Sequence, residues 1–133
     1  MKLHPDRSDV ATISAYGSGW IQVGDQRVTQ SVVLCPDGST RPWGCSRFEA
    51  LRASHFEELA RLAAAQHAEL VVFGSGHQLR FVHPAWQQAL MALRIGVETM
   101  GTDAACRTYN VLAMEDRRVM AALLLESDAA TRA

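Results

Sequence analysis

Alternation of apolar and polar positions with a period of two marks the opening of the chain. VATISAY (residues 10–16), WIQV (20–23) and RVTQSVVL (27–34) each predict a short strand, with turns at Gly17, Gly19 and Gly24-Asp25. The stretch CPDGSTRPWG (35–44) carries Pro36, Asp37-Gly38 and Pro42 and reads as a loop, with Trp43 expected to fold back onto the body. The period then changes. In FEELARLAAAQ the apolar Phe56, Leu59, Ala60 and Ala63 share one helical face, Ser54 and Glu57 form a capping-box pattern at the start, and Glu57 and Arg61 are spaced as an outer ion pair. AELVVF (68–73) is a buried strand ending at Gly74-Ser75-Gly76. Pro84 opens a second helix, GVETM (96–100) is a further strand, a third helix starts within GTDAACRTYN (101–110), and residues 117–125 form a closing strand. The tail ESDAATRA is expected to fray.

After residue 53 the elements alternate helix and strand, which predicts an α/β fold with a largely parallel sheet flanked by helices; the early strands add a β layer or an antiparallel edge. The 133 residues are 48% hydrophobic and 20% charged, so a single domain over 1–133 with its core at about 10–125 is expected. Lysine and arginine number 13 against 14 aspartate and glutamate, and no basic run is interleaved with aromatics, which argues against a nucleic-acid partner. Cys35, Cys45 and Cys106 are an odd set without CxxC spacing, fitting neither a disulfide framework nor a zinc ribbon. The start MKLHPDRSDVATI has no signal-peptide character and no later run reaches the length of a membrane span, so a soluble, cytoplasmic, bacterial protein is expected, with no membrane insertion.

In open α/β sheets ligands gather where strands end. Two strand ends here carry unusual loops, Gly74-Ser75-Gly76-His77 and Gly101-Thr102-Asp103. Their backbone N–H groups are expected to converge on an anion or a carbonyl oxygen. With Thr102 as N-cap, Asp103, Arg107 and Asn110 fall on one helix face and Cys106 at its margin, while Ala104, Ala105, Tyr109, Val111, Leu112 and Ala113 pack on the sheet. The plainer account is that Thr102 caps, Asp103 pairs with Arg107, and Cys106 is a small buried hydrophobe. No histidine lies near Cys106 in sequence to serve as a base, so a Cys-His nucleophile is unsupported. Gly74-Ser75-Gly76 lacks the third glycine and the following helix of a dinucleotide fingerprint, and the histidines show no metal-ligand spacing; no cofactor and no metal are expected. Arg117 and Arg118 flank the last strand, and one of them is placed to turn back toward Glu115 or Asp116, the plainer account being an ordinary helix C-terminal charge.

The segments YGSGWIQV, PDGSTRPW, VVFGSGHQLRF and GVETMGTDAACRTYNVLAMEDRRVMAALLL occur in this order and span about Tyr16 to Leu125. They resemble the MTH-like family of small uncharacterised α/β domains that includes the mitochondrial NADH:ubiquinone oxidoreductase assembly factor 3 and the adipogenesis-associated domain protein. The resemblance implies a three-layer fold around a mixed central sheet and a protein without an established enzyme activity. By position it points to Gly74, Gly76, Thr102, Cys106, Arg107, Thr108, Asn110 and Arg117. The chain departs from the family pattern in having Gly101 where an acidic residue usually follows the methionine, and Met114 and Asp116 where Ser and Gly are usual. Loss of that acid weighs against acid–base chemistry more than against binding.

Two functions follow as expectations. The first is a non-enzymatic interaction or assembly-type domain whose strand-end pocket (Gly74, Ser75, Gly76, His77, Thr102, Asp103, Cys106, Arg107, Asn110 and Arg117) takes a protein partner or a small anionic ligand, with a homo-oligomer open as well. The second is a small-molecule-binding domain or enzyme in which Cys106 or Arg107 acts on a carbonyl- or carboxylate-bearing metabolite.

Overall fold

The computed structural model describes residues 12–126. β1 (Ile13–Gly17), β2 (Trp20–Val23) and β3 (Gln26–Val28) form an antiparallel three-stranded sheet. The main sheet has five strands: β4 (Val32–Leu34), β5 (Thr40–Pro42), β6 (Leu70–Gly74), β7 (Gly96–Met100) and β8 (Val119–Leu123), in the order β5-β4-β8-β6-β7. β8, β6 and β7 run parallel, whereas β4 and β5 are antiparallel additions. Helices α1 (Ala53–Ala65) and α2 (Gln88–Ala92) cover one face of this sheet, and α3 (Thr102–Met114) with the small sheet covers the other. The architecture is thus three-layered, a mixed central sheet with helices on both sides and an additional N-terminal β layer.

Side-chain alternation along the central strands divides the core in two. Val71, Phe73, Met120, Ala122 and Val33 point into the α1/α2 layer, while Leu70, Val72, Ala121, Leu123, Val32 and Leu34 point toward α3. Both faces are covered, and this is why LVVFG and VMAAL are apolar throughout rather than alternating. On the first face Trp43, Phe56 and Phe73 meet edge-on at centroid separations of 5.3 to 5.9 Å. Each such ring buried is worth about 2–3 kcal/mol of transfer free energy.

Four details differ from the reading of the sequence. RVTQSVVL is two strands, because the chain leaves the small sheet after Val28 and enters the large one at Val32; Ser31 fixes the crossing by bonding Leu125 N–H and Trp43 N–H. The Pro-Asp-Gly turn sits inside a hairpin instead of a loop, and β5 runs back along β4 with Pro42 on the sheet edge, where a missing N–H costs nothing. Helix α1 starts at Ala53, upstream of the Ser54/Glu57 pattern, and His55 Nδ1 accepts the Arg52 N–H at 3.0 Å in its place. The first residue of the tail, Glu126, is buried and held; residues 127–133 lie outside the described range. Trp43, 2% exposed, does fold back as expected, and Phe56, Leu59, Ala60 and Ala63 are the buried face of α1.

Candidate functional site

Parallel pairing of β6 with β7 brings the two strand-end turns together, as their sequences predicted. The contact is tight. Thr102 N–H donates to Gly76 O at 2.8 Å, Gly76 N–H donates to Thr102 Oγ1 at 2.9 Å, and that hydroxyl donates onward to Leu124 O at 2.8 Å. Thr102 is therefore not the N-cap of α3, a position held by Gly101, but a buried brace tying the turn after β6 to the end of β8. Gly74 is required at this crossing because a Cβ there would lie 2.9 Å from Thr102 Oγ1 and 3.0 Å from Leu123 Cδ2.

Four of the amides expected to hold an anion, those of Ser75, Gly76, His77 and Thr102, are occupied within the chain. Ser75 N–H bonds Met100 O at 2.8 Å, Gly76 and Thr102 bond each other, and His77 N–H bonds Glu126 Oε1 at 3.3 Å. Ser75 is fully buried; its hydroxyl lies 2.8 Å from Gln78 O and 3.2 Å from Met100 O and accepts from Arg80 N–H at 3.0 Å. This serine orders the turn and does not face a ligand.

Beside the turn lies a charged cluster absent from the expected site. The Glu126 side chain is 1% exposed and receives His77 Nδ1 at 2.9 Å and Arg80 Nη2 at 2.5 Å on Oε1, and Phe48 N–H at 2.7 Å on Oε2. Burial by itself pushes the Glu126 carboxyl pKa up, but the Phe48 amide, His77 and Arg80 outweigh it and hold it below the ordinary glutamate value. Arg80 also donates to Ser75 O at 2.7 Å and Glu49 at 3.3 Å, with its guanidinium 4.6 Å over the Phe48 ring. In sequence, the signal for Glu126 is an acid directly after the buried run AALLL, and Arg80 sits inside VVFGSGHQLRF. Neither shows its partner, because the two are 46 residues apart.

A cavity of about 220 Å³ opens between the β1–β2 turn, the turn after β6, the start of α3 and the end of β8. Asp103 and Glu126 both line it. An anion in this cavity would meet both carboxylates, of which Glu126 is already paired with Arg80. Among the described residues, no group of three or more His, Cys, Asp or Glu side chains is arranged to hold a metal ion.

Residues 13–124 match the family of proteins of unknown function designated DUF498/DUF598. The chain belongs to that family. This DUF498/DUF598 member is 32% identical over 121 residues to an uncharacterised protein of Rhodobacter capsulatus, covering 90% of this chain and 89% of that protein. It is 30% identical over 112 residues to the mouse NADH dehydrogenase [ubiquinone] 1 alpha subcomplex assembly factor 3, covering 84% of this chain but 59% of the relative. A Mth938-like domain of Bordetella pertussis, known from its solution structure, superposes with a TM-score of 0.80 at 33% identity, covering 96% of this chain and 94% of that one.

The other residues expected at the site of this DUF498/DUF598 domain are dispersed. Cys106 is fully buried in the core between α3 and the sheet; burial, reinforced by the charge of Asp103 and only partly offset by Arg107, pushes its thiol pKa up to about 12. Such a thiol is a packing group and a poor nucleophile. Arg107 is exposed and donates to Tyr16 Oη at 2.6 Å. Asn110 exchanges two hydrogen bonds with the backbone of Ile13, at 2.9 and 2.7 Å, pinning α3 to β1. Arg117 pairs at 2.8 Å with Glu69. Val111, expected on the sheet, is 57% exposed. No helix among the described residues is long and apolar enough to cross a membrane.

Proposed function

We propose that this chain is a non-enzymatic interaction domain, assembly-factor-like in role, which presents the loop after β6 to a protein partner. One observation carries the reading: the strand-end cluster spends its polar groups on its own chain. The amides of Ser75, Gly76, His77 and Thr102, the Thr102 hydroxyl and the Glu126 carboxylate are each engaged internally, and the one nearby thiol is buried. A catalytic centre needs groups left available to substrate, whereas a rigid cluster suits a presenting scaffold. What it presents is Leu79 and Phe81, 54% and 69% exposed, on either side of the anchored Arg80. Exposed large apolar side chains beside one another are a feature of protein contact surfaces. The mouse relative named as an assembly factor supports the same reading by kinship.

The test is affinity purification of the tagged full chain from its source cells after mild crosslinking, beside the double variant L79S/F81S. The expected result is a protein recovered with the original chain and depleted at least several-fold with the variant. Equal recovery from both, or no recovery from either, would defeat the proposal. A second reading, a small-molecule domain, draws on the 220 Å³ cavity. With Asp103 on its wall and Glu126 already paired with Arg80, the cavity favours a cationic or neutral ligand, a carbonyl-bearing one included, over a carboxylate-bearing metabolite of the kind expected for Cys106 or Arg107. Native mass spectrometry of the purified chain, showing a retained small molecule lost on Asp103→Asn, would favour this second reading.

A further inference from the structure

The two edges of the main sheet are built differently. At one edge, β5 is three residues long and carries Pro42, which has no N–H to offer an incoming strand. At the other, β7 is five residues long, without proline or lysine, and no strand among the described residues pairs with its outer side. Its ends are flanked by exposed apolar side chains. Met91 and Leu93, 65% and 47% exposed, precede it in the chain, and the exposed Leu79 lies at the far end, where the backbone at Gln78 and Leu79 comes against Gly101. An unblocked edge bounded by apolar side chains at both ends suits the addition of an extended segment, whose backbone would pair with β7 while its alternate side chains meet the flanks.

Charge selects the occupant. Glu98 is the exposed central residue of β7. A second copy paired antiparallel about a two-fold axis through the strand centre would set Glu98 against its own counterpart, and like charges directly opposite are destabilising; sliding the register to avoid this shortens an already short ladder. A segment with a cation at that position gains where the copy loses. Building on the interaction reading above, we infer that the free edge of β7 is a docking strand for an extended segment of a partner protein, one that carries a lysine or arginine where it crosses Glu98.

Display selection with a library of eight-residue peptides against the immobilised full chain tests this, in parallel with the variant E98K, whose fold is checked by circular dichroism. Peptides with alternating apolar positions around a central lysine or arginine are expected on the original chain. Aspartate or glutamate should replace that cation on E98K, and the affinity of a selected basic peptide should fall roughly threefold to tenfold on the variant. Hydrogen exchange should show the peptide protecting residues 96–100. Selected sequences indifferent to the charge at position 98, or protection elsewhere, would overturn the inference. So would protection of 96–100 in the peptide-free chain: concentration-dependent protection would mean a second copy, and concentration-independent protection the chain's own residues. If the partner captured with the original chain is retained undiminished by E98K and no charge reversal is selected, the docking strand fails while the interaction reading stands.

Discussion

Gly76 has φ +103°, a region that side chains strain to adopt, and a Cβ there would run into the Glu126 carboxylate and the Arg80 guanidinium. Both the backbone and the ion pair would have to move. Gly76→Ala is therefore expected to destabilise by about 2 kcal/mol or more, read from urea denaturation, whereas an alanine at Gly96, where a Cβ meets nothing within 4 Å, should cost far less. An equal effect at the two positions would contradict the packing described. Cys106 gives the complementary case of a residue whose chemistry is silenced by its surroundings. With the thiol pKa near 12 and no exposed surface, its labelling at pH 8 should wait for opening of the core and accelerate with denaturant in step with unfolding. Rapid labelling of Cys106 in the native chain would return it to the list of reactive groups.

At the scale of elements, the small sheet is joined to the rest through α3. Asn110 supplies both an acceptor and a donor to Ile13, a bidentate clasp that satisfies strand backbone which, among the described residues, no neighbouring strand serves at that point. Arg107 meets Tyr16 one turn earlier on the helix but from an exposed position. Asn110→Ala should therefore cost about 1–2 kcal/mol and speed amide exchange across β1 and β2, while Arg107→Ala should leave both close to the original. The reverse ranking would make the guanidinium the structural tie. These elements also show how far the sequence could be read. The buried face of α1 and the doubly covered β6 follow from local periodicity, because each residue's neighbours decide its burial. The break between β3 and β4 depends on Ser31 reaching Trp43 and Leu125, and the identity of β5 as a strand depends on β4 alongside it. The candidate site divides the same way: the meeting of the 74–77 and 101–103 turns follows from adjacent parallel strands, but the occupation of their amides depends on Glu126 and Thr102 bonding across the fold. A pattern within one segment carries no information about a partner dozens of residues away.

At the scale of the whole molecule, Glu126 is where the end of β8, the turn after β6 and the short helical turn Phe48–Ala50 are tied together, and one ionisation controls all three. Its pKa is held below the ordinary value in the fold, so the folded chain binds this proton less readily than the unfolded one. The resulting stabilisation is present in full above the unfolded glutamate value of about 4.3 and is lost as pH falls through the lower, folded value. Asp37 behaves similarly through its bonds from Ser39 and Gln66, which hold it at about 2, but it is an exposed turn residue with a smaller part in the structure. Denaturation midpoints should accordingly decline as pH falls below about 4.5. Glu126→Gln separates the contributions. Removing the charge leaves Arg80, whose side chain is 17% exposed, with its main counter-charge gone, so the neutral-pH stability should fall by about 2–3 kcal/mol. The acid decline should become shallower because one fewer carboxylate titrates on unfolding, the Asp37 part remaining. A variant that loses stability at neutral pH yet keeps the full acid slope would mean that Glu126 is not the group on which the three elements turn.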